Sequence, residues 1–514
     1  MRSSVAALLI RLIMIMALPV FLNVLAEEQT VLERPVGAEP APLPVPNPTK
    51  SFWIDSTADA NPLAKEGSHG ALTHDADICI IGSGITGVSA AYHISRLLAA
   101  QPAPETPLKV TILEARDFCS GATGRNGGHL TPVAFQEFVE YAALYGVDDA
   151  VRAIALEHHT TGDIVKLIRE SGKEAETDLI AGGHVSLLFT EPEVVKARAD
   201  YAAAKAAGVQ VDDVEFLTKE EVQQTYGAAY PGFRTPGHNI WPLKLVTHLF
   251  KIAKDTGANS STSSLFLHTN TPVTSVTPSD ATSRRWNLTT PRGSIACSYV
   301  LHATNAYASH LLPALRGPSG IIPTRGQVIA LRAAVTSEEI TRTGWGGNEG
   351  FEYWFPRPLS NISNSTSSNP GQQRNPLVIL GGGRESTRPD FELNIADDSV
   401  VSPVVGNTLR RFLPAVFPGK YEEGREPEME WTGIMGYTKT GDPFVGPVLN
   451  PATGSSDLFK GQYISAGYTG HGMPRAYGCA EAVAGMIIAD IQGKDWSIPD
   501  WLPRHHLTQN RVNE

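Results

Sequence analysis

Blocks of apolar residues at two different spacings run along the chain, and they predict strands alternating with helices. Residues 76–81 (ADICII) form a short run rich in β-branched side chains, the pattern of a strand buried on both faces. Behind it Val88, Ala91, Tyr92, Ser95 and Leu98 keep helical spacing on one face, and Leu108–Leu113 reads as a second buried strand. Gln462–Ala466 repeats the strand pattern near the other end, followed by Ala476, Cys479, Val483, Met486 and Ile487 on one helical face. Residues 27–74 break the pattern. Pro35, Pro40, Pro42, Pro44, Pro46 and Pro48 enforce extended backbone with few amide donors, which predicts an arm that Phe52, Trp53 and Leu63 can pin to the folded body. The polar stretch 361–375 (NISNSTSSNPGQQRN) lies between strand-like segments and predicts a loop.

Residues 1–26 stand apart from the fold. Arg2 supplies a positive start, residues 12–22 are apolar apart from Pro19, and Val24-Leu25-Ala26 offers a cleavage pattern. That order reads as a secretory signal peptide, with an uncleaved membrane anchor as the alternative. Asn259, Asn287, Asn361 and Asn364 head Asn-x-Ser/Thr triplets, which fits an extracellular glycoprotein. The chain has 514 residues, 42% of them apolar, and is long enough for a large core and a cofactor. Its 42 Lys+Arg against 53 Asp+Glu leave a net charge of −11, and the absence of basic runs argues against a nucleic-acid partner. Cys79, Cys119, Cys297 and Cys479 are too few and too scattered for a disulfide scaffold or a zinc site, and no metal is expected.

The first strand runs into Gly82-Ser83-Gly84-Ile85-Thr86-Gly87, a complete G-x-G-x-x-G. Gly82 permits the tight turn, Gly84 lets backbone approach a pyrophosphate, and Gly87 lets helix and strand pack closely. The helix N-terminus then faces the phosphate charge with free N–H groups. The second strand ends in Glu114-Ala115, where a carboxylate can accept both hydroxyls of an adenosine ribose. Strand, motif, helix, strand and acid in order specify a dinucleotide fold far better than the motif alone. After Glu114, residues 120–129 (SGATGRNGGH) hold too many glycines for a packing helix and offer exposed N–H groups along an extended cofactor.

On these residues the chain resembles the flavoprotein family of D-amino-acid, glycine and sarcosine oxidases, and looks most like its γ-glutamylputrescine oxidase branch with many fungal relatives. The resemblance implies FAD held through Ser120, Thr123, Arg125, Asn126, Gly127 and Gly128, with adenosine beside Val273, Ala303 and Thr304. Matches continue through 323–327 (PTRGQ), 351–357 (FEYWFPR) and 379–383 (ILGGG). Near the C-terminus Gly467, Gly470, His471, Gly472 and Met473 open a helix whose free N–H groups and positive end suit the negative charge of a reduced flavin.

The family implies oxidation of a C–N bond: hydride leaves the carbon beside an unprotonated amine for flavin N5, the imine hydrolyses, and dioxygen is the usual acceptor. The expected partners are therefore a small-molecule amine and dioxygen or another electron acceptor. A flavin dehydrogenase, a monooxygenase or a non-catalytic flavin-binding protein are the alternatives. Tyr353, Trp354, Tyr437 and Tyr468 are candidate walls of the substrate space, and His129 and His471 candidate proton-handling groups; His158 and His159 read as solvated surface. Three departures from the family pattern stand out. Met435 occupies the place of the cysteine that links FAD covalently in sarcosine-oxidase relatives, so FAD is expected to be non-covalent. Pro474 and Arg475 replace the lysine that holds a substrate carboxylate, and no lysine lies in 377–381, where relatives carry the one that activates oxygen. The predicted fold is α/β: a discontinuous Rossmann-like FAD-binding domain (75–180, 235–320 and 440–495) and a mainly antiparallel β-sheet substrate domain (181–234 and 321–439), with 496–514 as a C-terminal tail.

Overall fold

The computed structural model describes residues 39–280, 284–358 and 375–511. The expected leader, Asn361, Asn364 and almost all of the polar loop lie outside these residues. Among the described residues no helix is long and apolar enough to cross a membrane.

Two eight-stranded sheets carry the architecture. In the first, Gln462–Ala466, Gly293–His302, Asp75–Ile81, Leu108–Leu113 and Ser263–His268 run parallel in that spatial order, and Phe444–Pro447 closes one edge antiparallel. The apolar runs become central strands because both faces are covered. Helix Ile85–Ala99 packs between helices Pro242–Ser260 and Ala476–Gln492 on one face. The second sheet orders Met429–Tyr437, Ile322–Arg332, Leu377–Gly382, Glu352–Pro356, Gly344–Gly347, His184–Leu187, Gly232–Thr235 and Glu215–Leu217, with one parallel pairing, Gly344–Gly347 on His184–Leu187. The amphipathic helix Pro403–Val416 presses Leu409 and Leu413 onto its outer face against Trp354, Leu380 and Ile329. Its inner face turns to the first sheet, and the active-site cavity lies between the two. This is the mixed architecture that the sequence pattern predicts.

The proline-rich arm docks where its aromatics allow. Trp53 is fully buried, its indole N–H donates to the Asn126 carbonyl at 2.5 Å, and its own carbonyl accepts from the Trp241 indole at 2.9 Å. Thr49 donates its N–H to the Asp398 carbonyl and its hydroxyl accepts the Thr432 N–H at 2.9 Å, which ties the arm to the second sheet.

Three expectations change. Cys79 and Cys297 form a disulfide across 218 residues, with Cα atoms 6.0 Å apart. Parallel pairing of their strands, with Ala76 opposite Cys297, brings together residues that look scattered in the sequence. The C-terminal stretch is no loose tail, since His505 donates or accepts at Asp149 (2.6 Å) and His506 at Asp442 (3.2 Å), both buried. His159 is not solvated surface either: it pairs with Glu481 at 2.7 Å and stacks on Trp501.

Candidate active site

One cavity of about 1190 Å³ runs from the glycine turn to the inner face of the second sheet. At its dinucleotide end the backbone is built as the motif requires. Gly82 has φ +111°, and a Cβ there would lie 2.6 Å from the Ala303 carbonyl oxygen. A Cβ on Gly87 would lie 2.0 Å from the Gly82 carbonyl oxygen, so only glycine lets the helix sit this close to its strand. Gly84, Ile85 and Thr86 line the cavity, and the Ile85 N–H donates to Thr123 Oγ1 at 3.0 Å. Glu114 points its carboxylate along the wall, accepting from the Ser83 N–H (2.9 Å), the Ser83 hydroxyl (2.8 Å) and the Arg116 N–H (3.0 Å). Ala115, Val273, Ala303 and Thr304 follow it around the same lobe, and the buried Thr304 hydroxyl has no protein partner.

The floor is a lane of glycines across neighbouring strands, each covered by a large side chain. Cβ atoms at Gly433, Gly326, Gly381 and Gly346 would meet Arg125, Met435, Tyr353 and His184 at 2.9, 2.9, 2.3 and 3.2 Å respectively. Tyr353 is wedged between Gly381 and Gly127, and burial pushes its phenol up to about 12. His129 meets Tyr353 edge to face, has no hydrogen-bond partner of normal geometry on either nitrogen, and is pushed down to about 4 by burial. His184, beside it, is pushed down to about 3 by burial and the neighbouring His129. Both imidazoles are neutral. Asn126 accepts the Gly128 N–H and fixes the turn between them.

The C-terminal turn closes the cavity. Gly470, His471, Gly472 and Met473 line it, while the helix itself begins only at Ala476, without a side-chain cap, and directs its positive end inward. His471 Nε2 lies 3.0 Å from the buried Glu157, which also accepts from Arg475 Nε at 2.7 Å and the Val133 N–H at 2.7 Å. Burial opposes the charge on Glu157, yet His471 and Arg475 together hold its carboxyl down at about 2.

Several sequence-predicted residues serve other ends. Trp354 is buried on the outer face of the sheet, stacked on Trp345, because alternate strand residues point to opposite sides. Ser83 and Ser120 do not reach the cavity; Ser83 braces Glu114 and accepts the Cys119 N–H. Arg125 lines the cavity and donates from Nε to the Ser120 carbonyl and from Nη1 to the carbonyls of Thr49 and Thr432. Gly467, at φ +87°, is hemmed in by Thr438 and shapes the turn from behind. Tyr468 does line the wall but directs its hydroxyl to Ser465 and Thr86. Tyr437 accepts from Arg384 at 2.6 Å. Glu157, His184 and Arg384 were invisible to motif reading, since nothing adjacent in sequence marks them.

The donor set suits FAD: a glycine cradle for the pyrophosphate, an acid at the ribose position, an unpartnered hydroxyl at Thr304, and a floor whose glycines let Arg125, Met435, Tyr353 and His184 sit close against the sheet below the cavity. Cys119 and Cys479 are buried and no cysteine lines the cavity, which accords with non-covalent binding. The family model for FAD dependent oxidoreductases of the DAO type matches residues 77–486. The chain is 24% identical over 443 residues to a probable oxidoreductase, OrdL, of Rhizobium meliloti (strain 1021), covering 85% of this chain and 88% of that one. A shorter stretch of 90 residues is 32% identical to gamma-glutamylputrescine oxidoreductase of Escherichia coli (strain K12), 18% of this chain and 19% of that one. Its fold is similar to that of L-proline dehydrogenase from P. horikoshii (TM-score 0.60, 18% identity, 84% of this chain and 98% of that one). With the glycine turn, the acid and the cavity in place over the matched span, the chain belongs to the DAO family and is an FAD-dependent oxidoreductase.

Proposed function

We propose that this enzyme oxidises a C–N bond of a primary or secondary amine. The observation that carries the reading is the continuation of the cofactor cavity into a lobe between the His471 turn and the glycine floor, walled by Tyr353, Tyr437, His129 and His184. Residues 82–87 would hold the pyrophosphate and Glu114 the ribose. FAD bound there supplies the hydride acceptor and the site of reoxidation. The chain orients the amine against Tyr353, keeps bulk water out with the aromatic floor, and carries protons on its own side chains. A polyamine derivative or an amine-bearing natural-product intermediate is the substrate class favoured. The relatives named for γ-glutamylputrescine and L-proline support an amine nitrogen as the reacting centre. Dioxygen is the acceptor we favour.

The decisive experiment is anaerobic mixing of the holoenzyme with a panel containing putrescine, benzylamine, sarcosine and proline. Bleaching of the 450 nm band by one of them is expected; oxidation of NAD(P)H instead, with no bleaching by any amine, would favour a monooxygenase. Acid precipitation of the holoenzyme is expected to leave the flavin in the supernatant. Glu114→Gln is expected to weaken FAD binding about tenfold, about 1.4 kcal/mol, read by flavin titration of the apoprotein.

We further propose that the protein folds in the secretory pathway. The disulfide, the apolar leader and the Asn-x-Ser/Thr triplets at Asn259 and Asn287 support that route.

A further inference from the structure

An aliphatic ammonium loses its proton near pH 10.4, so an amine arrives charged, whereas hydride can leave only beside a neutral nitrogen. A proton acceptor in the substrate lobe lets the enzyme use that charged form at neutral pH. Among the described residues four imidazoles line the cavity; His310 lies at the dinucleotide end, its Nδ1 3.2 Å from the Ala41 carbonyl, which leaves His129, His184 and His471 around the substrate lobe. Burial suppresses protonation of the first two, and neither faces a carboxylate. His471 differs in geometry. Its side chain is 40% exposed, while Glu157, 1% exposed, receives its Nε2 at 3.0 Å.

Resting on the amine reading above, we propose that His471 is the proton acceptor for the incoming ammonium and that Glu157 is its positioning residue. With Nε2–H held by Glu157, the lone pair of Nδ1 is left for the substrate. The N–H bond of the ammonium breaks, an N–H bond forms on Nδ1, and the free amine and an imidazolium result with no change of oxidation state. The imidazolium then faces Glu157 and passes its proton to solvent through its exposed edge. The charged and titratable groups around His471 are few. Glu157 approaches from helix Val147–Glu170, Arg475 from the same turn as His471, and the neutral His129 and His184 from the floor. Arg475 is itself neutralised by Glu157, and Tyr141 and Asp442 lie behind it. Removing Glu157 therefore takes a counter-charge from Arg475 and the hydrogen-bond acceptor from His471 together.

The test uses holoenzyme labelled with ¹⁵N-histidine, with His471→Gln assigning the resonances that vanish. Wild type is expected to show a single Nε2–H tautomer at His471, and Glu157→Gln, whose amide both donates and accepts, a mixture of the two. In anaerobic flavin reduction by the amine that bleaches the holoenzyme, His471→Gln is expected to lower kcat/KM about 100-fold at pH 7. Glu157→Gln should lower kcat/KM less than His471→Gln does, because the imidazole is still present but no longer held in one tautomer. A His471→Gln profile superimposable on wild type would overturn the acceptor role while leaving the amine reading intact. Failure of every amine to bleach the holoenzyme overturns both. An unchanged tautomer in Glu157→Gln overturns the positioning role. If that variant does not fold, Glu157→Asp carries the test, since a shortened acid that leaves the tautomer unmoved is equally damaging.

Discussion

Gly87→Ala is expected to yield a protein that purifies without FAD and unfolds several degrees below wild type. A Cβ at this position would sit 2.0 Å from the Gly82 carbonyl oxygen, 3.1 Å from the Gly82 carbonyl carbon and 3.1 Å from Ile80 Cγ2. The first two are backbone, so no side-chain rotation relieves the clash. Gly82 is itself held to the sheet, since its N–H donates to the Leu113 carbonyl at 2.8 Å. The helix must lift from the strand instead. Overpacking of this kind costs about 3 kcal/mol when the backbone has to give. The same lift displaces the N–H groups of the turn from the pyrophosphate, and an FAD affinity loss of about 100-fold, or 2.7 kcal/mol, follows. The flavin-to-protein absorbance ratio, titration of the apoprotein with FAD, and thermal unfolding measure it. Gly162→Ala is the control: a Cβ there meets nothing within 4 Å, and alanine should leave FAD binding unchanged while stabilising its helix slightly. Retention of FAD by Gly87→Ala at wild-type affinity would mean that helix and strand do not meet as described.

This prediction was accessible from sequence because the whole dinucleotide device is local. Six consecutive residues, the strand before and the helix after state their own geometry, and Glu114 is reached by one further strand. The substrate side is different in kind. The glycine lane assembles Gly326, Gly346, Gly381 and Gly433 from four strands, and no window of sequence contains two of its members together with the side chains that cover them. Glu157 lies on a helix more than three hundred residues from His471, with nothing beside it to mark a buried acid. Trp354 is the instructive error. The run EYWFP was legible as a strand, and period-two alternation already forbids Tyr353 and Trp354 from facing the same space. Choosing between them needed only the knowledge of which face meets the flavin-binding sheet. Arg125 shows the same limit: it lines the cavity as the resemblance implies, but the carbonyls of Thr49 and Thr432 that its Nη1 also meets come from distant parts of the chain. Long-range pairing consumes groups that local reading leaves free.

The disulfide is the long-range pairing with the largest energetic consequence. Joining Cys79 to Cys297 closes a loop across 218 residues and ties two adjacent strands of the FAD-binding sheet. In the chain-entropy picture a loop of this length stabilises the folded state by about 5 kcal/mol, and measured losses on removing native disulfides run from about 2 to 5 kcal/mol. The double variant Cys79→Ala/Cys297→Ala is therefore expected to unfold at least about 5 °C below wild type. Both sulfurs are fully buried, so reductant should have little effect on the native protein and a large one once it is unfolded. Thiol titration in denaturant gives the count directly: two reactive thiols, Cys119 and Cys479, before reduction and four after it. Four thiols in unreduced protein recovered from an oxidising compartment would sink the pairing. The same titration bears on where the chain matures. Protein made in a reducing cytosol should carry four thiols and the lowered melting temperature of the double variant, whereas protein exported during synthesis should carry two. A chain that kept full stability without the bond would have no physical need of an oxidising route, and the secretory proposal would then rest on the apolar N-terminal segment and the Asn-x-Ser/Thr triplets.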